Sequence, residues 1–312
     1  MTVHEKYQDL IKQLPPKDCF NSFKLFEDKD VRVAVNNNGE LNVLIPTGKF
    51  DNSNFSSINL SNIKILPSTI CKVHEKNIIL NDVFTILHFK NTDYQLQSYF
   101  LKVIHSVFND LTNNPSVQDI LNTIFYLVEI FRYISESPRK SILGLWGELF
   151  FIANSQETEF LLNIWHSDIY EYLDFSSPRI FYEIKSTTND IRIHNFSLQQ
   201  LEHNKEGYII SIITRPLTGG HSINDIIIII ESKINNPRLI AKMNQIVSQT
   251  LGREIINLKD KKFDYQLAIE TIRFFHIGKI PKIKIQNIPR EISDVKFKIN
   301  LTDTEYEKIN PW

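Results

Sequence analysis

The sequence predicts an α/β protein with a central mixed sheet flanked by helices, a β-rich N-terminal unit and an α+β C-terminal extension. Three observations carry this. Strand-like runs separated by turn residues fill residues 28–91, helix-periodic apolar residues dominate from Asp93 to Ala153, and short β-branched runs alternate with helix-like stretches beyond Asp174. At 312 residues, 42% hydrophobic and 23% charged, the chain can bury a substantial core in two or three packed units. The expected division is a β-rich domain over 1–112, a helical connector over 113–136, a core over 137–235 and an extension over 236–312.

Within the first domain, VRVAVNNNGELNVLIP, INLSNIKILPSTICK and VFTILHF read as strands, and NNNG as a turn. Helices are expected from Asp93 to Leu111 and from Val117 to Ser135, the latter burying Leu121, Ile124, Phe125 and Val128. SPRK then marks the entrance to the core, whose first helix runs from about Lys140 to Ala153. Further on, GYIISIITRPL and DIIIIIES read as buried strands flanking a TGGHSIN loop. PRLIAKMNQIVSQTLG reads as a helix closed by Gly252, and the tail from FFHIGK to VKFKINL as further strands.

Several function classes gain no support. Gly219 and Gly220 lack a phosphate-binding fingerprint, so ATP and NAD binding are not indicated. Cys19 and Cys71 form no zinc pattern and read as reduced thiols. The opening MTVHEKYQDLIKQLPP has no apolar leader core, and DIIIIIES is too short to span a bilayer, so a soluble cytoplasmic protein is expected. With 35 basic against 36 acidic residues, the net charge of −1 gives no global attraction to nucleic acid, and any DNA surface must be local or supplied by a partner.

The chemistry concentrates in residues 144–201. If SSPR (176–179) is a hairpin turn, Phe175 pairs with Ile180 and Asp174 with Phe181. Strand alternation then sets Asp174, Glu183 and Lys185 on one face. Two carboxylates beside an ammonium suit phosphodiester hydrolysis, in which hard divalent cations on oxygen ligands neutralise phosphate and generate hydroxide. Asp174 and Glu183, with the main-chain carbonyl of Ile184, are the expected ligands of Mg²⁺, with Mn²⁺ as a substitute, and Lys185 would orient water or steady developing charge. Glu148 lies in the helical stripe Leu145, Glu148, Leu149, Ile152. It reaches a metal-bound water or second metal, or else snorkels to solvent.

An Asp at 174 followed by Glu-x-Lys at 183–185 resembles the PD-(D/E)XK nuclease superfamily, whose core is a helix, a three-stranded antiparallel sheet, a second helix and another strand. GLWGELFF, YLDF, YEIKST and FSLQQL together resemble more closely a poorly characterised PD-(D/E)XK family found in prokaryotic defence operons beside MutL-like and helicase-like ATPases. The resemblance covers mainly residues 137–235 and implies a restriction-endonuclease-like core. It assigns catalytic roles to Asp174, Glu183 and Lys185, the helix acid to Glu148 and an accessory polar role to Gln200. Leu173 stands where the superfamily label has Pro, and the eight residues between Asp174 and Glu183 are a short spacing that leaves Asp168 as an alternative ligand.

Structural readings stand beside these. Glu183 and Lys185 also suit an exposed ion pair, Asp174 a turn cap and Gln200 a solvated helix position. Lys279, Lys282, Lys284 and Arg290 form a modest basic run that suits a solvated strand face as well as phosphate contacts. His194, His203 and His221 follow no HExxH or HNH pattern and are left out of the metal set. The expected function is a metal-dependent DNA endonuclease or nuclease subunit of a restriction or antiphage defence system. Its expected partners are DNA, an ATPase and other defence-operon proteins. The alternative is a catalytically silent nuclease-fold scaffold or DNA-binding subunit, and RNA cleavage is a third reading.

Overall fold

The computed structural model describes residues 2–46, 57–75, 78–109, 111, 117–133, 140–166, 172–201, 205–252, 261–282, 292 and 295–309. The chain divides into two compact units, Met1–Ser137 with Gly252–Ile256, and Pro138–Leu251 with Asn257–Trp312.

The first unit begins with helix α1 (Val3–Ile11), closed at its start by a reciprocal capping box between Thr2 and Glu5. Strands β1 (Cys19–Lys24), β2 (Arg32–Val35), β3 (Leu41–Pro46), β4 (Ile58–Asn59), β5 (Ile63–Glu75) and β6 (Ile78–Phe89) follow. They lie in the order β1-β2-β3-β6-β5-β4, and β1 also pairs in parallel with β5, so that five of them close into a barrel. Closure leaves no edge on either partner of that last seam. The long β5 bends to achieve it at an irregularity between Leu66 and Thr69, where Ser68 takes a φ of 43°. The NNNG turn is present, with Gly39 at φ 77° and Asn36 Oδ1 accepting from the Asn38 and Glu40 amides.

Helices α2 (Tyr94–Asn109) and α3 (Val117–Tyr133) complete this unit. The buried face of α3 differs from the expected one: Ile120, Ile124, Leu127, Ile130 and Phe131 are buried, whereas Phe125 is 48% exposed. Both stripes obey the helical period. The observed one is selected because it brings Phe131 against Phe100 and Phe89, whose rings stack at 4.4 Å on each other.

The second unit contains α4 (Ile142–Asn154), α5 (Thr158–Ile164), β7 (Phe175–Ser176), β8 (Ile180–Thr187), β9 (Ile193–Ser197), α6 (Leu198–Leu201), β10 (Glu206–Ile213), β11 (Pro216–His221), α7 (Ile223–Glu231), α8 (Pro237–Leu251), α9 (Tyr265–Thr271), β12 (Arg273–His276) and β13 (Lys296–Asn300). Its central sheet, ordered β12-β10-β8-β7, is mixed: β8 and β10 are parallel, and the outer strands antiparallel. The segment expected as a C-terminal extension supplies β12 to this sheet and β13 to a pair with β9.

DIIIIIES is not a strand. It forms α7, because Ser222 and Asp225 close a capping box and Ile223, Ile226, Ile227 and Ile230 bury one stripe while Ile228 stays 57% exposed. Isoleucine's modest helix penalty is outweighed by that burial. TGGH, expected as a loop, is the end of β11. Its last residue bridges Phe263, and a Cβ on Gly220 would collide with the Phe263 carbonyl.

Candidate active site

Helix α4 is the scaffold on which the site is built. Ser141 caps it, accepting from the Gly144 amide at 3.0 Å, and Gly147 lets it lie tightly on β8, since a Cβ there would collide with Ser186 Oγ. The expectation of one apolar stripe is corrected: Leu145 through Ala153 are all buried, so α4 is enclosed on every side over that stretch. Glu148 therefore does not reach solvent, and its carboxylate needs partners inside the protein.

The hairpin delivers the second acid through a register two residues away from the expected one. Phe175 pairs with Tyr182 and Ser176 with Phe181, and the Ser177 amide donates to the Ile180 carbonyl across the turn. Continuing that register sets Asp174 opposite Glu183. A slip of two residues leaves every side chain on its own face, so the expected convergence survives the change.

Around Asp174 the groups interlock. Lys140 Nζ donates to Asp174 Oδ1 at 2.5 Å and to Glu148 Oε1 at 2.8 Å, and Trp165 Nε1 donates to Glu148 Oε2 at 2.8 Å. The Ile184 amide donates to Asp174 Oδ2 at 2.9 Å, and the Asp174 amide to Glu183 Oε2 at 3.1 Å. Lys185 Nζ lies 2.7 Å from Glu183 Oε1 and 3.3 Å from Gln200 Oε1, over the Phe196 ring. Gln200 Nε2 donates to Glu183 Oε1 and to the Tyr172 carbonyl. All six carboxylate oxygens thus accept a hydrogen bond. Asp174 is the link between Glu148 on α4 and the Glu183, Lys185 and Gln200 group on the other side.

Electrostatics separates the acids. Burial, reinforced by the Asp174 charge, pushes the carboxyls of Glu148 and Glu183 up to about 7, against the pull of Lys140 and Lys185. Asp174 moves the other way: burial opposes its ionisation, yet the Lys140 and Lys185 ammonium groups and the Ile184 amide hold it below the usual carboxylate range. At Lys140, burial works against the charged form, but Asp174 and Glu148 outweigh it and raise its pKa. Three buried acids facing two lysines remain short of positive charge, and their hard oxygen donors suit a Mg²⁺-class ion. Among the described residues, however, no three His, Cys, Asp or Glu side chains are already gathered around one ion position.

These groups line a cavity of about 970 Å³, completed by His166, Asn195 and, from α8, Ile246, Gln249 and Thr250. A sequence model of the family described as "Putative PD-(D/E)XK family member (DUF4420)" matches residues 13–302. The chain belongs to this family. No curated protein and no solved structure matches it.

For this member of the family, the structure brings Glu148, Asp174, Glu183, Lys185 and Gln200 together, with Ile184 contributing its amide to Asp174. Asp168 and His203 lie outside the described residues, as do Lys284 and Arg290 of the basic run, and Lys279 pairs with Glu305 at the surface. His194 is a core residue: it shares Ser211 Oγ with buried Arg192, and burial, then Lys185 and Arg192, push its imidazole down to about 4. The His221 carbonyl accepts from Trp146 Nε1, and its ring packs on Tyr265. Lys140 and Trp165 were not legible as site residues, because they meet Glu148 only through folding over eight and 17 residues. Among the described residues no helix is long and apolar enough to cross a membrane.

Proposed function

We propose that the chain is a metal-dependent deoxyribonuclease, acting as an endonuclease or nuclease subunit of a prokaryotic restriction or antiphage defence system. The observation that carries this reading is the interlock of Asp174 with Glu183 and Lys185 in one cavity of a PD-(D/E)XK family member. The order α4, the β7–β8 hairpin, β9, α6 and then β10 parallel to β8 supports a restriction-endonuclease-like core. Its departure is β9, which pairs with β13 instead of extending the hairpin.

Asp174 and Glu183, with the Ile184 carbonyl, would hold Mg²⁺ or Mn²⁺, and Glu148 would act on it through water or a second ion. Such an ion, when bound, neutralises phosphate charge and makes water more acidic. The chain does the rest. Lys185, anchored between Glu183 and Gln200, presents a fixed positive charge where it can orient the attacking water or steady the developing oxyanion. Gln200 holds Glu183 and Lys185 in register, and Trp165 fixes the Glu148 carboxylate. The net charge of −1 leaves DNA contact to a local surface or to a partner, and by the family resemblance that partner would be an ATPase of the MutL-like or helicase-like kind.

The full engagement of the carboxylate oxygens also favours a second reading, a catalytically silent scaffold or DNA-binding subunit in the same assembly. Cleavage of DNA and RNA by the purified chain, alone and with its partner proteins, in Mg²⁺ and Mn²⁺ decides between them. Asp174→Ala, Glu183→Ala and Lys185→Ala are each expected to lower DNA cleavage at least about a hundredfold, with metal binding retained in Lys185→Ala. Undiminished cleavage by an Asp174/Glu183 double variant would sink the nuclease reading, and inactivity of the wild-type assembly would favour the scaffold.

A further inference from the structure

We propose that Lys140 is a built-in counter-ion that competes with a divalent cation for Glu148 and Asp174, and so sets the site's metal affinity. The inference rests on the metal-dependent reading above and deepens it. Lys140 Nζ bonds both acids at once, at 2.8 Å and 2.5 Å, which is the position from which one cation neutralises two carboxylates.

The partners differ in freedom. Glu148 and Asp174 are only 5% and 9% exposed, and each is held by a second donor, Trp165 Nε1 on Glu148 and the Ile184 amide on Asp174. Lys140 is 44% exposed and precedes the α4 cap, so its side chain can leave for solvent while both acids stay in place. Its ammonium offsets the mutual repulsion of two buried acids when no ion is bound. An ion that takes up Asp174 Oδ1 beside Glu183, and acts on Glu148 through water or a second ion, must displace the lysine, giving up two charge-assisted hydrogen bonds. Metal affinity is thereby lowered in proportion to the strength of the lysine's hold.

The test is an equilibrium titration of the full-length protein with Mn²⁺ for wild type, Lys140→Met, Lys140→Gln and Lys140→Arg, with Asp174→Asn as the site control. Thermal unfolding is measured in chelator and in saturating Mn²⁺. Lys140→Met and Lys140→Gln are expected to bind Mn²⁺ at least about tenfold more tightly, the scale of one charge-assisted hydrogen bond. They should also unfold at a lower temperature than wild type in chelator and gain more from Mn²⁺, while Lys140→Arg stays near wild type. Should Lys140→Met fail to fold without metal, Lys140→Gln, which keeps a donor, gives the reading. Equal or weaker Mn²⁺ binding by the uncharged variants overturns the inference while leaving the nuclease reading intact. Absence of Asp174-dependent Mn²⁺ binding in every protein, wild type included, overturns both.

Discussion

Asp174 is the residue through which the whole site communicates, because its two carboxylate oxygens and its amide each reach a different neighbour. Its own ionisation is secured by Lys140, Lys185 and the Ile184 amide, and its charge in turn helps lift Glu148 and Glu183 to about 7. A proton on either glutamate removes negative charge that an ion would otherwise meet. Apparent Mn²⁺ affinity is therefore expected to fall as pH drops through about 7 and to level off above it. Glu148→Gln should flatten this dependence, as it deletes one of the two titrating acids. A pH-independent affinity across that window, measured on wild type, would refute the proton competition.

At the scale of elements, α7 shows how weak local preference is beside capping and burial. Its isoleucines favour a strand, and the Ser222–Asp225 box with the stripe Ile223, Ile226, Ile227 and Ile230 makes it a helix packed on α4. Ser222→Ala removes the acceptor for the Asp225 amide and is expected to cost about 1 kcal/mol, read as a lower midpoint in denaturant unfolding with unchanged slope. Cleavage by the folded variant should be retained, since Ser222 does not line the cavity. No change in midpoint would show that burial alone holds the helix.

For the whole molecule, the division into two units places every residue lining the cavity between 140 and 250, within the second unit. A fragment spanning 138–312 that folds, as judged by circular dichroism, is expected to keep Asp174-dependent Mn²⁺ binding at near the full-length affinity. Loss of that binding in a folded fragment would mean that the first unit contributes to the site. If the first unit, with its closed barrel, serves partner or substrate contacts, its deletion should impair cleavage in the assembled complex more than it impairs Mn²⁺ binding.

Asp174, Glu183 and Lys185 were legible because alternation along a strand is a local rule: Glu183 and Lys185 share a face whatever surrounds them, and the hairpin's two-residue slip could not move Asp174 off that face. Turn chemistry was equally local, as NNNG shows with its glycine at positive φ. What only the tertiary structure decided was everything set by partners distant in the chain. Lys140 meets Asp174 across 34 residues, β9 finds β13 and not β8, α3 turns its Phe131 face inward, and five isoleucines become helical because α4 lies beneath them. Periodicity names the faces an element can bury. Which face is buried, and which charges meet there, depends on contacts whose energy exists only once the chain has closed on itself.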